Sequence, residues 1–283
     1  MKSQARGESE LRRSIERHYD SLAFLYRTFW GKHIHHGLWL DGPSPPRLAQ
    51  EQLVSYLADR AEVREGEEIL DVGSGYGASG RWLSHRFGCR VTGVTISRKQ
   101  ARLARRYNER YGHAGRTRVV RANAADLPFA AGSFDLVWVV ECIEHLADKR
   151  RFVRETARML RPGGRFALCT WQRGEGIEAA EPQLREVCEA FLCPSLASAA
   201  EYRAWCEAAG LEVRCEENLT PHVRATWDIL GKRIGRPWLA PLRLLVGRRV
   251  RRFVAGFPVI ASAYDSGAMS YGLVVAAKLS GRN

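Results

Sequence analysis

Five consecutive residues, Glu141-Cys-Ile-Glu-His145, place two carboxylates and one imidazole directly after an apolar stretch that ends at Val140. Histidine is the usual general base near neutral pH, and a neighbouring carboxylate can orient its ring. His145 is therefore the best candidate for a group that accepts a proton, with Glu141 or Glu144 as its orienting partner. The alternative is that Glu144 and His145 only cap the following helix and close a pocket.

A second cluster, Asp71-Val-Gly-Ser-Gly-Tyr-Gly77, follows a short apolar run. Glycine permits a sharp turn and lets a ligand approach the backbone, and a helix that begins after the turn directs its amides into the gap. A phosphate suits such amides. The carboxylate of Asp71 instead favours a ligand that carries a cation, or an amine together with a carboxylate.

Both clusters stand at the ends of predicted strands. Apolar runs predict strands at 68–72, 90–95, 118–121, 134–140, 165–170, 211–218 and 270–278. Helical patterns separate most of them, which predicts an α/β fold with a doubly wound, mostly parallel seven-stranded sheet of Rossmann-like type. In such sheets ligands bind beyond the carboxyl ends of the strands. The residues that follow strands one, two, four and five are thus expected to meet at one edge.

The segment before the predicted sheet is rich in aromatic residues. It is predicted to be helical to about Gly31 and to form a lid over a pocket. Its candidate contact residues are Tyr19, Tyr26, Trp30, His35, His36 and Trp39. A helix packed on the sheet would show the same pattern. Three histidines within 33–36 suggest a metal ion, but no acid or cysteine stands at ligand spacing, so no metal site is predicted.

Length and composition favour one large domain, because 283 residues with 45% apolar content can bury a sizeable core. We divide the chain into a lid (1–50), a core (51–175) and a C-terminal part of the same domain (176–283) with a helical insertion at about 221–255. No apolar run of 18 residues occurs, and residues 1–17 lack the apolar stretch of a signal peptide, so a cytoplasmic protein is expected. The seven cysteines show no Cys-x-x-Cys spacing, which argues against a disulfide framework and a zinc site.

The formal charge of +13 is concentrated in a basic segment at 232–253, which lies within a stretch without acids from 229 to 264. Leucines alternate with its arginines, a composition that suits an anionic membrane surface. Nucleic-acid binding would favour interleaved aromatic residues, so nucleic acid is not expected as a partner. The alternatives are a solvated basic helix, packing on the sheet edge, or contact with a second subunit, and either a monomer or a homodimer is expected.

Five motifs follow one another in an order typical of one enzyme family. They are Asp71-Val-Gly-Ser-Gly-Tyr-Gly77, Gly93-Val-Thr-Ile-Ser97, Asn123-Ala-Ala-Asp-Leu-Pro-Phe129, Phe134-Asp-Leu-Val137 and Leu160-Arg-Pro-Gly-Gly164. The series resembles the class I S-adenosylmethionine (SAM)-dependent methyltransferases. The motif Gly-Val-Thr-Ile-Ser and the segments 33–39 and 141–146 resemble the tocopherol C-methyltransferase-like branch of small-molecule natural-product methyltransferases. This resemblance covers most of residues 15–280.

The resemblance implies SAM as the cofactor. It assigns to SAM the residues Asp71, Gly73, Ser74, Gly75, Gly77, Thr95, Ile96, Ser97, Gln100, Asn123, Ala124 and Glu141. Thr95, Ser97 and Gln100 would hold the ribose by neutral hydrogen bonds, because the acid that a nicotinamide enzyme carries after strand two is missing. Asn123 stands where the family usually has an aspartate, and its side-chain carbonyl can accept the same bond from adenine without charge assistance.

The resemblance also implies a small, largely apolar acceptor: a prenylated phenol, a terpenoid, a polyketide or an alkaloid, methylated on carbon, nitrogen or oxygen. The acceptor would contact the lid residues and Trp171. The 38 arginines against 6 lysines suggest a GC-rich bacterial genome and a role in natural-product biosynthesis. The alternative is a SAM-binding cyclase of the same fold. A cyclopropane synthase is disfavoured, because the lid cysteine of those enzymes has no counterpart before Cys89.

Overall fold

Seven strands form one sheet in the computed structural model, which describes residues 2–175, 181–234 and 248–280. They are β1 (Glu68–Val72), β2 (Arg90–Thr95), β3 (Thr117–Arg121), β4 (Phe134–Val140), β5 (Leu160–Arg173), β6 (Leu211–Asn218) and β7 (Met269–Lys278). Their order is β3-β2-β1-β4-β5-β7-β6, with β1 to β5 parallel and β7 antiparallel to β5 and β6. The predicted doubly wound, mostly parallel sheet is confirmed.

Helices surround this sheet. In chain order, the described α-helices are α1 (Lys2–Leu25), α2 (Pro46–Arg60), α3 (Ala78–Phe87), α4 (Arg98–Arg110), α5 (Lys149–Met159), α6 (Glu181–Phe191), α7 (Ala199–Ala208), α8 (Thr220–Val223), α9 (Ala225–Ile234) and α10 (Arg248–Asp265). A π-helical turn over Tyr26–Trp30 continues α1 to Gly31, and a 3-10 turn spans Ile143–His145. The N-terminal helix and the helical insertion before the last strand both agree with the sequence.

Strand β4 shows why the central strands read as continuous apolar runs. Leu136 and Trp138 belong to one apolar cluster, Val137 and Val139 belong to another, and all four residues are fully buried. Successive side chains of a strand point to opposite faces, so a strand covered on both faces must be apolar at every position. Polar residues flank this buried stretch: Asp135 lies at the partly buried start of β4, and Glu141 follows directly after the strand ends.

Two helix caps lie next to the site. Ser97 accepts a hydrogen bond from the Gln100 amide (3.1 Å) at the start of α4, and Asp148 accepts one from the Arg151 amide (2.8 Å) at the start of α5. Since Asp148 caps α5, the idea that Glu144 and His145 perform that function is wrong.

Strand β5 is longer than the sequence predicted, because it begins at Leu160 and ends at Arg173 rather than spanning 165–170. Strand β7 pairs with it antiparallel from Arg165 opposite Ala277 to Arg173 opposite Met269. This pairing extends regular structure through Trp171 and so fixes that residue beside the site.

The described ends of the basic segment pack on the rest of the chain. Arg233 donates to the carbonyl of Phe29 (3.0 Å), Arg252 pairs with Glu189 (2.8 Å), and Phe253 is buried. These contacts favour intramolecular packing for that part of the segment. Residues 235–247 lie outside the described residues.

Candidate active site

Two cavities lie beyond the carboxyl ends of the parallel strands. The first has a volume of about 360 Å³ and is bounded by the ends of β1, β2 and β4, the loop after β3 and helix α1. The second, of about 40 Å³, is lined mainly by aromatic side chains. Four residues line both cavities: Tyr19, Ile34, Glu141 and His145. They form the wall between the two cavities, and we call them the shared wall.

The glycine turn after β1 forms one side of the first cavity. Gly73 has φ of +84°, and a Cβ on it would lie 2.5 Å from the Cβ of Cys142. The amides of Gly73 and Ser74 both donate to the carbonyl of Val94 on β2 (2.9 Å). The turn is therefore held against β4 and β2 so closely that only glycine fits at residue 73.

Two buried polar atoms beside this turn have no hydrogen-bond partner: Oδ2 of Asp71 and Oγ of Ser74. Burial raises the pKa of Asp71 from its ordinary 3.8 to about 7, although the charge of Arg81 opposes the shift. An unpaired buried carboxylate is costly, and a cationic amine would remove most of that cost. These atoms fit the amino-acid portion of SAM, which carries both an amine and a sulfonium.

The residues predicted to hold the nucleoside lie mostly where expected. Thr95, Ile96, Gln100, Asn123 and Ala124 all line the first cavity, together with Asp71, Gly73, Ser74, Gly75 and Glu141. The hydroxyl of Thr95 donates to Oε1 of Gln100 (2.7 Å), so these two side chains hold each other in place.

Ser97 and Gly77 line neither cavity. Ser97 is fully buried, and its hydroxyl donates to Oδ1 of Asp20 (2.5 Å) on α1 while it caps α4, so it cannot hold the ribose as predicted. Gly77 instead precedes α3 in a left-handed conformation (φ +71°). Asp20 was not singled out in the sequence, because nothing local marks an acid on α1 as the partner of a serine 77 positions later.

The lid is fixed over the first cavity by further polar contacts. The hydroxyl of Tyr76 donates to the carbonyl of Ala23 (2.7 Å), and Glu16 pairs with Arg121. Tyr19 lines both cavities, whereas His35, which was predicted as an acceptor contact, lines only the first. The aromatic segment thus acts as a lid and also packs as a helix on the strand ends.

Histidines 33 and 35 form a neutral pair beside the lid. Nδ1 of His35 donates to the carbonyl of His36 (2.8 Å), which leaves Nε2 to accept from Nδ1 of His33 (3.1 Å). Burial lowers the pKa of both rings. Within residues 2–175, 181–234 and 248–280, no group of three or more His, Cys, Asp or Glu side chains could hold a metal ion.

His145 in the shared wall has a defined tautomer. Its Nδ1 lies 3.2 Å from the carbonyl of Leu192, which can only accept, so Nδ1 carries the proton. Nε2 then offers a lone pair, and the hydroxyl of Tyr19 donates to it (2.8 Å). Burial lowers the pKa of His145 and raises that of Tyr19, so both groups are neutral near pH 7. The prediction that Glu141 or Glu144 orients His145 is wrong, because Leu192 and Tyr19 do so.

Glu141 is held from one side only. Its Oε1 accepts hydrogen bonds from the amide and Nδ1 of His36 (2.8 and 2.9 Å) and from the hydroxyl of Tyr271 (2.8 Å). Burial opposes ionisation, but the interactions with His36 hold the pKa of Glu141 below its usual value. The carboxylate therefore stays ionised, and Oε2, which takes none of these bonds, is left for a ligand.

His36 supports Glu141 and lines neither cavity, contrary to its predicted contact with the acceptor. The indole N–H of Trp227 donates to its Nε2 (2.8 Å), so the ring proton is on Nδ1 and points to Glu141. Trp39 also lines neither cavity, because its indole N–H is bonded to the carbonyl of Ser44 (3.0 Å).

Backbone strain is concentrated at this site. Glu141 (φ +50°) and Leu192 (φ +58°) are two of the three non-glycine residues with positive φ in the described part of the chain. Leu192 presents its carbonyl to His145, and Glu141 lies in the shared wall. Such conformations are costly for residues with a Cβ and typically persist where function requires a fixed geometry.

The second cavity combines predicted and unexpected residues. Tyr26, Trp30 and Trp171, which were predicted as acceptor contacts, line it together with the catalytic candidate Glu144. The sequence did not indicate the others: His18, Phe191, Cys193, Trp227 and Phe253. These residues come from elements far apart in the chain, and no local motif marks them. The remaining catalytic candidate, Glu144, contributes a buried carboxyl group to the second cavity and has no hydrogen bond to His145 in the described structure.

Comparisons with known proteins agree with this geometry. A family model described as "Methyltransferase domain" matches residues 70–168. The chain is 30% identical to the chloroplastic tocopherol O-methyltransferase of Arabidopsis thaliana, with 95% of this chain and 82% of that protein covered. It is 35% identical to the 27-O-demethylrifamycin SV methyltransferase of Amycolatopsis mediterranei (strain S699), with 77% and 81% covered.

A solved structure of geranyl diphosphate methyltransferase in complex with SAM has the same fold, with a TM-score of 0.73, 23% identity, and 88% of this chain and 99% of that chain covered. None of the described helices is long and apolar enough to cross a membrane. The matched residues include the end of β4 and the glycine turn, and beside that turn Asp71 and Ser74 offer unpaired polar atoms to an amine. SAM is the cofactor, and the chain belongs to the class I SAM-dependent methyltransferases that act on small molecules.

Proposed function

We propose that the enzyme transfers the methyl group of SAM to a hydroxyl group of a small, largely apolar acceptor, with His145 as the general base. The shared wall carries this proposal. It is the only place in the described structure where the cofactor cavity meets the aromatic cavity, and His145 presents a neutral nitrogen lone pair there.

The chain's own residues would act in a simple sequence. Bound SAM supplies a methyl group made electrophilic by its sulfonium. The acceptor hydroxyl replaces the Tyr19 hydroxyl at Nε2 of His145 and gives its proton to that nitrogen while the oxygen forms its bond to the methyl carbon and the carbon–sulfur bond breaks. The Leu192 carbonyl keeps its bond to Nδ1 and stabilises the imidazolium. Positioning of the two reactants supplies about 7 to 11 kcal/mol, and the base about 100- to 10,000-fold in rate.

The lining of the second cavity favours an apolar acceptor without a strongly anionic group. Its described residues include eight aromatic or aliphatic side chains from the lid, β5, α6, α9 and α10 but no lysine or arginine. A diphosphate would lie there beside Glu141 and Glu144, whose carboxyl groups would repel it. Ligand pockets for drug-sized molecules usually hold about 300 to 1,000 Å³. The second cavity is far smaller, so the lid residues must move apart when the acceptor enters.

The relatives support this class of acceptor. Their names give tocopherol and 27-O-demethylrifamycin SV as their substrates. We extend this to a role in bacterial natural-product biosynthesis in the cytoplasm. The alternative, a cyclase that keeps SAM but transfers no methyl, has less support, because the curated relatives named above are methyltransferases.

The direct test uses purified enzyme, SAM labelled in its methyl group, and a panel of acceptors with a free hydroxyl, including a tocopherol-type phenol and 27-O-demethylrifamycin SV. We expect label in an ether product and one equivalent of S-adenosylhomocysteine. Label on carbon or nitrogen would overturn the O-methylation. A product formed without label while SAM stays intact would indicate the cyclase.

Contact with an anionic membrane through 232–253 stays a separate prediction. It is tested by sedimentation with vesicles of neutral lipid and of neutral plus anionic lipid. Equal binding to both would contradict it.

A further inference from the structure

Two residues that line the second cavity each carry a buried polar atom without a hydrogen-bond partner. Oε1 of Glu144 accepts from the hydroxyl of Thr170 (2.7 Å) and from the Trp171 amide (2.8 Å), whereas Oε2 has no partner. The indole Nε1 of Trp171 also has none. Glu144 is 2% exposed and Trp171 is 8% exposed. Because an unpaired buried donor or acceptor costs free energy, two of them in one cavity indicate a missing partner.

The chemistry of these atoms restricts that partner. An indole N–H can only donate, and a carboxylate oxygen can only accept. A hydroxyl group donates one hydrogen bond and accepts others, so it can pair with both atoms. An ammonium group can pair only with Glu144, and a phosphate only with Trp171. We propose that Glu144 and Trp171 bind a hydroxyl group of the acceptor.

The protonation of Glu144 points to the same group. Burial, followed by the charge of Glu141, raises the pKa of Glu144 to about 7. When Glu144 is neutral, its proton lies on Oε2, since Oε1 already accepts two bonds, and the hydroxyl oxygen then accepts from it. A hydroxyl therefore pairs with Glu144 in both states, whereas an amine requires the carboxylate.

This hydroxyl is distinct from the position that is methylated. Glu144 and Trp171 line only the second cavity, whereas His145 lies in the shared wall. The acceptor thus carries at least two polar groups, one at the shared wall and one bonded to Glu144 and Trp171. The inference rests on the proposed function and adds to it an anchoring hydroxyl that sets which atom of the acceptor faces SAM.

The test measures binding of phenol and toluene, two probes that differ by one hydroxyl, to enzyme saturated with S-adenosylhomocysteine, using ligand-observed NMR. We expect phenol to bind about tenfold more tightly than toluene. Trp171→Phe keeps the ring and removes the N–H, so it should abolish most of this advantage and leave toluene binding unchanged. Trp138→Phe is the matched control, because its Nε1 is also buried and unpaired but Trp138 lines neither cavity.

A second variant tests the other half of the pair. Glu144→Gln keeps the carbonyl that accepts from Thr170 and Trp171 but replaces Oε2 by a donor, so the phenol advantage should again shrink. His145→Gln should retain it, because that residue belongs to the other polar position.

The opposite results would overturn the inference. Equal binding of phenol and toluene would mean that only a water molecule pairs with the two atoms. Trp171→Phe and Glu144→Gln could still bind phenol more tightly than toluene while His145→Gln binds both equally. That result would place the bound hydroxyl at His145 instead. Failure of the proposed function would be seen separately, as loss of S-adenosylhomocysteine binding or absence of labelled ether.

Discussion

The two cavities at the strand ends are built in different ways. The first is large and is shaped by the backbone of short segments at the strand ends, with Asp71 and Ser74 as its unpaired polar atoms. The second is small and is shaped by large side chains from five separate elements, and its unpaired polar atoms are Oε2 of Glu144 and Nε1 of Trp171. Cofactor binding should therefore respond to changes of backbone geometry. Acceptor binding should respond to changes of single side chains that leave SAM affinity intact.

The largest expected effect is at the shared wall. His145→Gln removes the nitrogen lone pair, and we expect kcat to fall about 100- to 10,000-fold while SAM affinity changes little. Rapid-quench measurement of methyl transfer and calorimetric titration of SAM check the two halves of this prediction. His85→Gln, an exposed histidine on α3, is the control and should behave like the wild type. A kcat within a few-fold of wild type would mean that His145 only closes the wall.

A smaller loss is expected on the cofactor side, from Gly73→Ala. The added Cβ would lie 2.5 Å from the Cβ of Cys142, at a positive φ. The turn must shift to relieve backbone strain and overpacking of together about 3 kcal/mol, and SAM binding must restore it, so SAM affinity should fall about 100-fold by calorimetry.

Gly66→Ala is the matched control for this variant, because Gly66 also has positive φ (+76°) but nothing lies within 4 Å of its added Cβ. It should lower stability in a denaturant titration and leave SAM affinity unchanged. Equal losses of SAM affinity in both variants would show that strain alone, and not the close turn, is responsible.

The difference between a cavity formed by short backbone segments and one formed by distant side chains also explains which parts of the site the sequence could predict. The strands and the cofactor residues follow from contiguous patterns, since Asp71 to Gly75 stand on one turn and a parallel sheet brings strand ends together. The partners of His145 and Glu141 could not be found in this way. Tyr19 lies 126 positions from His145, and Trp227 lies 191 positions from His36. The prediction that Ser97 holds the ribose is wrong for the same reason, because only the packing of α1 brings Asp20 to its hydroxyl.

A third effect concerns Asp71 and pH. Burial raises the pKa of Asp71 to about 7 in the folded protein without cofactor, above its ordinary 3.8. The cationic groups of SAM favour the carboxylate, so below pH 7 binding must release a proton. SAM affinity should fall about tenfold per pH unit from pH 7 to 5.5 and level off above pH 7.

Without cofactor, the pH dependence of folding stability has the opposite sign to the pH dependence of SAM affinity. The raised pKa means that the contribution of Asp71 is fully present below pH 4 and is lost as the pH rises to 7. Asp71→Asn should flatten both curves in calorimetry and in denaturant titrations. A slope of SAM affinity that persists in Asp71→Asn would assign the titration to another group, whereas Glu144→Gln on the acceptor side should retain it.

The smallest effect should come from the acceptor side, at Trp227. Its indole N–H fixes the ring of His36, and His36 in turn holds Oε1 of Glu141 (2.9 Å). Trp227→Phe keeps an aromatic ring against the second cavity but removes this bond, worth about 1 kcal/mol, so the acceptor KM should rise about fivefold with SAM affinity unchanged. Trp205→Phe, which lines neither cavity, is the control. If Trp227→Phe instead weakened SAM binding as much as acceptor binding, Glu141 would contribute equally to the binding of both ligands. The contrast between a backbone-defined and a side-chain-defined cavity would then not apply to the residues of the shared wall.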